Sequence, residues 1–214
     1  MLLVRVNHGC YTLVNESFVG IGGFAIMIEF QFQLGKAVEA MAYLLSQIGP
    51  TDKVKMTKLV YLADREHFLA HGYPITGDRQ YAMKKGPIPR MTLKAINGEI
   101  SLAYTALLPY IDIHNFVLSL RQMPSANLLT DSEKKTLDLI VREHGHKYKW
   151  DLVNETHRLP EYTRTYMPGT STHIPYETIA ELGGRESRYR HGRVVLSAES
   201  AAHMDCPYPP GNDL

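Results

Sequence analysis

Two pairs of histidines stand close enough in the sequence to suggest a metal site. His67 and His71 are four residues apart in a helical pattern, which places both rings on one face of the helix. The zinc metalloprotease helix carries glutamate directly after its first histidine, whereas Phe68 stands there in this chain. His144 and His146 lie at the end of a predicted helix, where the helix dipole favours basic residues. Neither pair has further ligands at a recognisable spacing, so no metal site is predicted.

Nucleophilic catalysis has little support in the sequence. Cys10 and Cys206 lie near opposite ends without an adjacent base, and no Gly-x-Ser-x-Gly motif is present. Residues 20–23 are glycine-rich but lack the Lys-Ser or Lys-Thr of a phosphate-binding loop, and no cofactor is predicted. Two cysteines do not form a disulfide framework, which favours a cytoplasmic protein.

One enzymatic alternative stays open, a hydrolase or transferase site centred on His157. Histidine is the usual acid or base near neutral pH. Glu155 and Glu161 are the carboxylates close to it in the sequence.

Basic residues are concentrated between residues 52 and 94. They include Lys53, Lys55, Lys58, Arg79, Lys84, Lys85 and Arg90, and they outnumber the acidic residues there, which are Asp52, Asp64, Glu66 and Asp78. Such a face attracts an acidic partner, or it is simply a solvated surface. The net charge of the whole chain is only +1 and few aromatic residues lie between the lysines, so a nucleic-acid partner is not predicted.

The segment Gly86-Pro87-Ile88-Pro89 lies within this basic region and is unusually stiff. Each proline fixes its own φ and forces the preceding residue out of the helical region. Two interpretations remain open. The segment either turns the chain between a strand and a helix and packs on Tyr61, or forms a rigid recognition surface flanked by Lys84, Lys85 and Arg90.

Hydrophobic periodicity predicts a mainly α fold, a single compact helical domain with a short β-hairpin or strand pair near the Gly-Pro segment. Thr130 and Glu133 form a predicted capping box, Trp150 is predicted to face inward, and residues 110–118 fit a strand or a helix. The predicted helices cover residues 34–48, 52–71, 91–108 with an interruption around Asn97-Gly98, 131–144, 149–157 and 176–182, and a short strand covers 79–84.

Regular patterning begins at Met27 and divides the chain into three parts. Residues 1–26 are predicted to be an N-terminal extension, either a mis-called start or a loosely docked arm. Residues 27–184 form the helical domain, and residues 185–214 are a basic and then proline-rich tail. No apolar run reaches the roughly 18–20 residues of a membrane span, so no membrane partner is predicted.

Three segments together resemble the Panacea domain of SocA-like antitoxins. They are KMTKLVYLA from Lys55, HGYPI from His71 and KGPIP from Lys85, which are similar to the family's Lys-Leu-x-Tyr helix, Gly-x-Pro loop and Gly-Pro-Val/Ile segment. Thr156-His157 before Pro160-Glu161-Tyr162 is similar to the later Ser-His and Pro-aromatic signature. The resemblance covers roughly residues 34–183 and departs from the family at Met83, where tryptophan is common, and at Thr156.

This resemblance implies a mainly helical, non-enzymatic protein of bacterial or phage origin that neutralises a toxin by direct contact. Some relatives are thought to act as adaptors that deliver the toxin to a protease, and others are phage-associated. The expected partner is therefore a cognate toxin, with a protease as a further candidate, and no oligomeric state is implied. The predicted partner-binding residues are Lys58, Tyr61, Lys84, Lys85, Gly86, Pro87, Ile88, Arg90 and His157.

Overall fold

The computed structural model describes residues 2–7, 10–14 and 26–183 and combines helices with short strands. The helices are α1 (Leu34–Ile48), α2 (Lys53–His71), α3 (Arg90–Ile96), α4 (Ser101–Leu107), α5 (Asp131–His144), α6 (Lys149–His157), α7 (Pro160–Thr165) and α8 (Tyr176–Leu182). The strands are β1 (Leu2–Asn7), β2 (Cys10–Val14), β3 (Ile26–Phe30), β4 (Thr51–Asp52), β5 (Gln80–Met83), β6 (Gly86–Pro89), β7 (Ile111–His114), β8 (Val117–Leu120) and β9 (Thr172–Ile174).

The prediction of a mainly α fold is wrong, because the protein is a mixed α/β structure. Strands β4–β8–β7 and β6–β5–β9 form two three-stranded antiparallel sheets in these orders. The predicted hairpin is present as β5 and β6, but β9 joins β5 from about ninety residues further along the chain. Short strands that pair over such distances leave little local periodicity, which explains why the helical pattern dominated the prediction.

Most of the predicted helices are confirmed, and their ends follow the expected capping. Asp52 caps α2 by accepting a hydrogen bond from the Val54 amide at 2.7 Å, and Gly72 ends the helix in the left-handed conformation. The capping box of α5 is present between Thr130 and Glu133. The predicted interruption of the helical segment 91–108 around Asn97-Gly98 is confirmed, because α3 and α4 are separated by a turn at residues 97–100.

Helix α2 lies at the centre of the fold and is buried on nearly every side. Its first half belongs to a large hydrophobic cluster with α1, α5 and the β4–β8–β7 sheet, where Met56 and Leu59 are fully buried. Its second half belongs to a smaller cluster with α8, where Phe68 packs against Tyr176 at a ring-centroid distance of 4.8 Å. The residues of α2 can therefore reach elements from both halves of the described chain.

The described strands of the N-terminal region form a third sheet. Strand β1 pairs antiparallel with β2 and parallel with β3. The ring of Phe30, at the end of β3, contacts Phe68 and Tyr176. The predicted boundaries at residues 26 and 184 stay predictions, and the predicted basic and proline-rich tail, with Cys206, lies outside the described residues. Within the described ranges, no helix has the length and apolar character required to cross a membrane.

Candidate functional site

Lys58 is the first member of a polar cluster buried along one face of α2. Its side chain is 0% exposed, and Nζ donates a hydrogen bond to the Pro87 carbonyl at 2.5 Å. Among the described residues, no carboxylate forms an ion pair with Lys58. Because burial penalises the ammonium form, the pKa of Lys58 falls from 10.5 to about 7. The lysine therefore fastens β6 to α2 and is poorly placed to attract a partner by its charge.

Gly86 brings the β5–β6 hairpin into contact with α6. Its φ of 91° is a conformation that favours glycine. A Cβ atom at this position would lie 2.9 Å from Thr156 Oγ1, 3.0 Å from Lys58 Nζ and 3.1 Å from His157 Cδ2. Three side chains that are distant in the sequence thus converge on one glycine, and the close approach leaves no room for a side chain there.

His157 lies on the other side of this contact. Its ring stacks on Tyr162 at a centroid distance of 4.8 Å, and the Tyr162 hydroxyl donates to the Met83 carbonyl at 3.0 Å. Burial is the main cause that lowers the pKa of His157, and the nearby charge of Lys58 lowers it further. The Nε2 atom is buried and has no hydrogen-bond partner within the described residues. At neutral pH the ring is therefore an uncharged packing element between α6 and the hairpin.

Glu161 ties α7 to α2 from a fully buried position. Its Oε1 accepts hydrogen bonds from Tyr61 Oη at 3.0 Å and from Arg65 Nε at 2.6 Å. Burial and the adjacent carboxylate raise the pKa of Tyr61 well above its ordinary value, so the phenol stays protonated and donates. This contact joins residues about one hundred positions apart and fixes α7, and with it Tyr162, beneath the hairpin.

The geometry gives no support to the enzymatic alternative. Glu155 pairs with Lys147 at 2.8 Å and lies 3.4 Å from His144 Nδ1. Glu161 is held by α2, as described above. Among the described residues no hydrogen bond joins His157 to either glutamate, so the histidine has no carboxylate to orient it as a base.

The histidine pair on α2 is also part of the packing. The rings of His67 and His71 lie 4.4 Å apart, and His67 Nδ1 is 2.8 Å from the Tyr73 carbonyl. Burial lowers the pKa of His67 to about 4, so its ring is neutral at pH 7 and Nδ1 donates to that carbonyl. The described residues contain no group of three or more candidate ligands around a possible metal position.

The predicted partner-binding residues divide into a buried group and an exposed group. Lys58, Tyr61, Gly86, Pro87 and Ile88 are buried, and His157 is half-buried. Arg90 is half-buried too, with its guanidinium 4.5 Å from the centre of the Tyr81 ring and a hydrogen bond to Ser171. The turn residues Lys84 and Lys85 are exposed. Of the predicted partner-binding residues, Lys84 and Lys85 are thus the ones that are exposed on the surface.

An exposed tryptophan lies next to this turn. Trp150 is 41% exposed, so the prediction that it faces inward is wrong. Lys85 Nζ lies 5.6 Å from the centre of its ring, and Lys149 Nζ lies 5.7 Å from it. The buried residues of α6 are Leu152, Val153 and Thr156, and a pattern built on Leu152 and Thr156 would have placed Trp150 outside. We call Lys84, Lys85 and Trp150 the lysine–tryptophan surface.

Comparison with protein families identifies the family of the chain. The model of the antitoxin SocA-like Panacea domain matches residues 56–162, which is half of the chain. The protein belongs to this family. The matched region runs from α2 to α7 and includes all of the residues that converge on Gly86. No curated protein matches the chain, and no solved structure does.

Proposed function

We propose that this Panacea-domain protein is an antitoxin that neutralises a cognate toxin by binding it through the lysine–tryptophan surface. Family membership supports the antitoxin class. The observation that carries the proposal is the pairing of two exposed lysines on a tight turn with an exposed tryptophan 5.6 Å from the nearer ammonium. Tryptophan is among the residues that contribute most to protein interfaces, and exposed lysines speed the encounter with an acidic partner.

The buried residues around Gly86 fix the position of the turn that carries this surface. Lys58 holds the Pro87 carbonyl, Tyr162 holds the Met83 carbonyl, and Gly86 packs against α6. These contacts lie on both sides of the turn that carries Lys84 and Lys85. A surface that is fixed before binding loses less conformational entropy when the complex forms, which favours affinity.

The first experiment identifies the toxin and tests the surface. Each gene that neighbours this one would be co-expressed with it, and rescue of growth and co-purification would identify the toxin. The double variant Lys84→Glu with Lys85→Glu should then lose protection while its melting curve stays nearly unchanged, since exposed substitutions usually change stability by less than about 0.5 kcal/mol. The loss of binding should be larger at low salt than at high salt.

A matched control reverses two charges elsewhere. Lys134→Glu with Lys135→Glu alters two lysines on α5 and should protect cells as well as the wild type does. If both double variants protect equally well, the lysine–tryptophan surface is not the contact. A Trp150→Ser variant gives an independent check of the same surface, because it removes the ring without changing the charge.

We further propose that inhibition by binding leaves the toxin intact in the cytoplasm. The level of tagged toxin after synthesis is blocked separates this mechanism from delivery to a protease. A toxin that persists in the presence of the antitoxin supports direct inhibition. A toxin half-life that shortens only when the antitoxin is present would instead establish a proteolytic adaptor.

A further inference from the structure

A second candidate binding site is built from elements other than those of the lysine–tryptophan surface and lies between helices α3 and α4 and the β7–β8 hairpin. It is a pocket of about 540 Å³ lined by Lys53, Ile96, Asn97, Tyr104, Ile113, Asn115 and Phe116. The isoleucines and the aromatic rings supply apolar walls, and Lys53 supplies a positive charge. A pocket of this size and character is suited to a large apolar side chain with a polar group beside it.

The charge of Lys53 is held in place by neutral groups. Its Nζ donates to Asn97 Oδ1 at 2.9 Å and lies 4.4 Å from the centre of the Phe116 ring. Among the described residues, no carboxylate pairs directly with Lys53. Glu99 is connected to it only through Asn97, whose amide nitrogen donates to the Glu99 carboxylate. An ammonium positioned in this way at the wall of a pocket with both polar and apolar lining is complementary to a carboxylate on an incoming ligand.

Phe116 adopts a backbone conformation that a phenylalanine rarely takes. It is the second residue of the two-residue β7–β8 turn, with φ of 48° at Asn115 and 68° at Phe116, where glycine is the usual choice. Its carbonyl accepts a hydrogen bond from the Lys53 amide at 2.8 Å, which ties the turn to the start of α2. The residue nevertheless stays 65% exposed. A strained, exposed aromatic residue beside a pocket is more consistent with binding than with packing.

The pocket also borders a strand edge. In the order β4–β8–β7, strand β7 is the outer strand of its sheet as far as the described residues extend. Ile111 is fully buried, so its backbone is closed to a partner. Ile113 is half-buried and, apart from the pairing with β8, its backbone makes no hydrogen bond to the described residues. An extended segment added along this edge would place every second side chain on the face of Ile113, which is the face that lines the pocket.

We infer that this site binds an extended segment of the partner protein, which pairs with the backbone of β7 at Ile113. The segment carries a large apolar side chain that fills the pocket and, two residues further on, a carboxylate that pairs with Lys53. The inference rests on the proposed function in taking the toxin as the source of the segment. The pocket and the lysine–tryptophan surface lie on different elements, so the two contacts can be tested separately.

The probe is a peptide, acetyl-Thr-Val-Thr-Phe-Thr-Glu-Thr-amide, titrated into the isotope-labelled full chain and followed by NMR. Shifts are expected at the backbone amides of β7 and of the residues that line the pocket. Replacing the peptide's glutamate by glutamine should weaken binding about tenfold, the scale of one charge-assisted hydrogen bond. Replacing its phenylalanine by serine should abolish the shifts.

Two variants of the protein test the assignment. Lys53→Met should bind the glutamate and glutamine peptides equally well, because the stem remains and the charge is lost. Phe116→Gly should weaken binding of the glutamate peptide while its melting temperature stays equal or rises, because glycine relieves the positive φ. Lys85→Met, on the other surface, should bind the peptide as the wild type does.

Each result is decisive for one of the two proposals. Absence of shifts along β7, or an undiminished preference of Lys53→Met for the glutamate peptide, would overturn the inferred site. Free N-acetylphenylalanine binding as tightly as the peptide would replace the protein segment with a small carboxylic acid and also overturn it. If the peptide binds as expected but no neighbouring gene encodes a toxin that the chain neutralises, the proposed antitoxin function fails while the site stands.

Discussion

Lys58 shows at the residue scale how a family motif can serve the fold. A lysine is rarely buried completely without a charged partner. Here the side chain is fully buried and donates to the carbonyl of Pro87, which gives that buried backbone oxygen the hydrogen bond it needs. The lowered pKa follows from this position, and the neutral amine is sufficient for the hydrogen bond.

We expect Lys58 to make stability depend on pH above neutrality. Its folded-state pKa of about 7 lies below the ordinary 10.5, so between these values the unfolded chain binds a proton that the folded chain does not. The free energy of unfolding should therefore rise with pH from about 7 towards 10.5, by about 1.4 kcal/mol per pH unit at most. Below pH 7 the residue should contribute no further change. Urea unfolding at several pH values between 7 and 9 measures this slope.

The matched variants for this experiment are Lys58→Met and Lys135→Met. The first should flatten the slope, and at pH 9 it should lower stability by roughly 1–3 kcal/mol because the Pro87 carbonyl loses its donor. The second changes an exposed lysine on α5 and should keep the wild-type slope. An equal slope in all three proteins would show that the buried amine is not responsible.

At the scale of the element, the β5–β6 hairpin depends on its contact with α6. Gly86 is the point of closest approach, and Thr156 cannot easily move away because its hydroxyl also donates to the Leu152 carbonyl at 2.8 Å. The prolines at positions 87 and 89 fit a strand at the edge of the β6–β5–β9 sheet, where one side of the backbone needs no partner strand. The stiff segment is therefore a buried strand that holds the exposed turn.

Gly86→Ala should be markedly more destabilising than a glycine-to-alanine change at a similar φ in open space. Gly169 provides that comparison, because its φ is 78° and a Cβ atom added to it would meet no other atom within 4 Å. Both variants should lose roughly 1–2 kcal/mol from the positive φ. Gly86→Ala should lose a further 1–3 kcal/mol, roughly, from crowding against Thr156 and His157. Denaturant unfolding measures both, and equal losses would mean that the hairpin can move off α6.

At the scale of the whole molecule, α2 unites two hydrophobic clusters. The smaller cluster receives Phe30 from β3, whose ring lies 4.9 Å from Tyr176 and 5.9 Å from Phe68. Glu29 on the same strand pairs with Arg79 at 2.8 Å. The principal contacts of β1 and β2 are instead with each other and with β3. The boundary between extension and domain is therefore expected before β3 and not after it.

Two truncations test that boundary. Residues 27–214 should melt within a few degrees of the full chain, because they retain Phe30 and Glu29. Residues 33–214 should melt several degrees lower, since a loss of 1 kcal/mol corresponds to roughly 2–4 °C in a domain of this size. Differential scanning calorimetry compares the three proteins. A large drop already at residues 27–214 would show that β1 and β2 belong to the domain and that the predicted boundary is wrong.

Features that depend only on neighbouring residues could be predicted from the sequence. Thr130 and Glu133 are three residues apart, so their capping box could be predicted directly. The ends of α2 and the hairpin around the Gly-Pro segment were predicted from capping and turn residues in the same way. The family was recognised from short motifs of this kind, which keep their spacing whatever the tertiary structure does.

The accessibility of those residues, in contrast, follows from how the elements pack in three dimensions. Lys58 and Lys85 are the same residue type in the same basic region, yet one is buried under β6 and the other is exposed beside Trp150. The pairing of β9 with β5 and the contact of Gly86 with Thr156 and His157 likewise join segments about seventy to ninety residues apart. Burial and long-range pairing depend on how whole elements pack together, and the period of a local pattern carries no information about that arrangement.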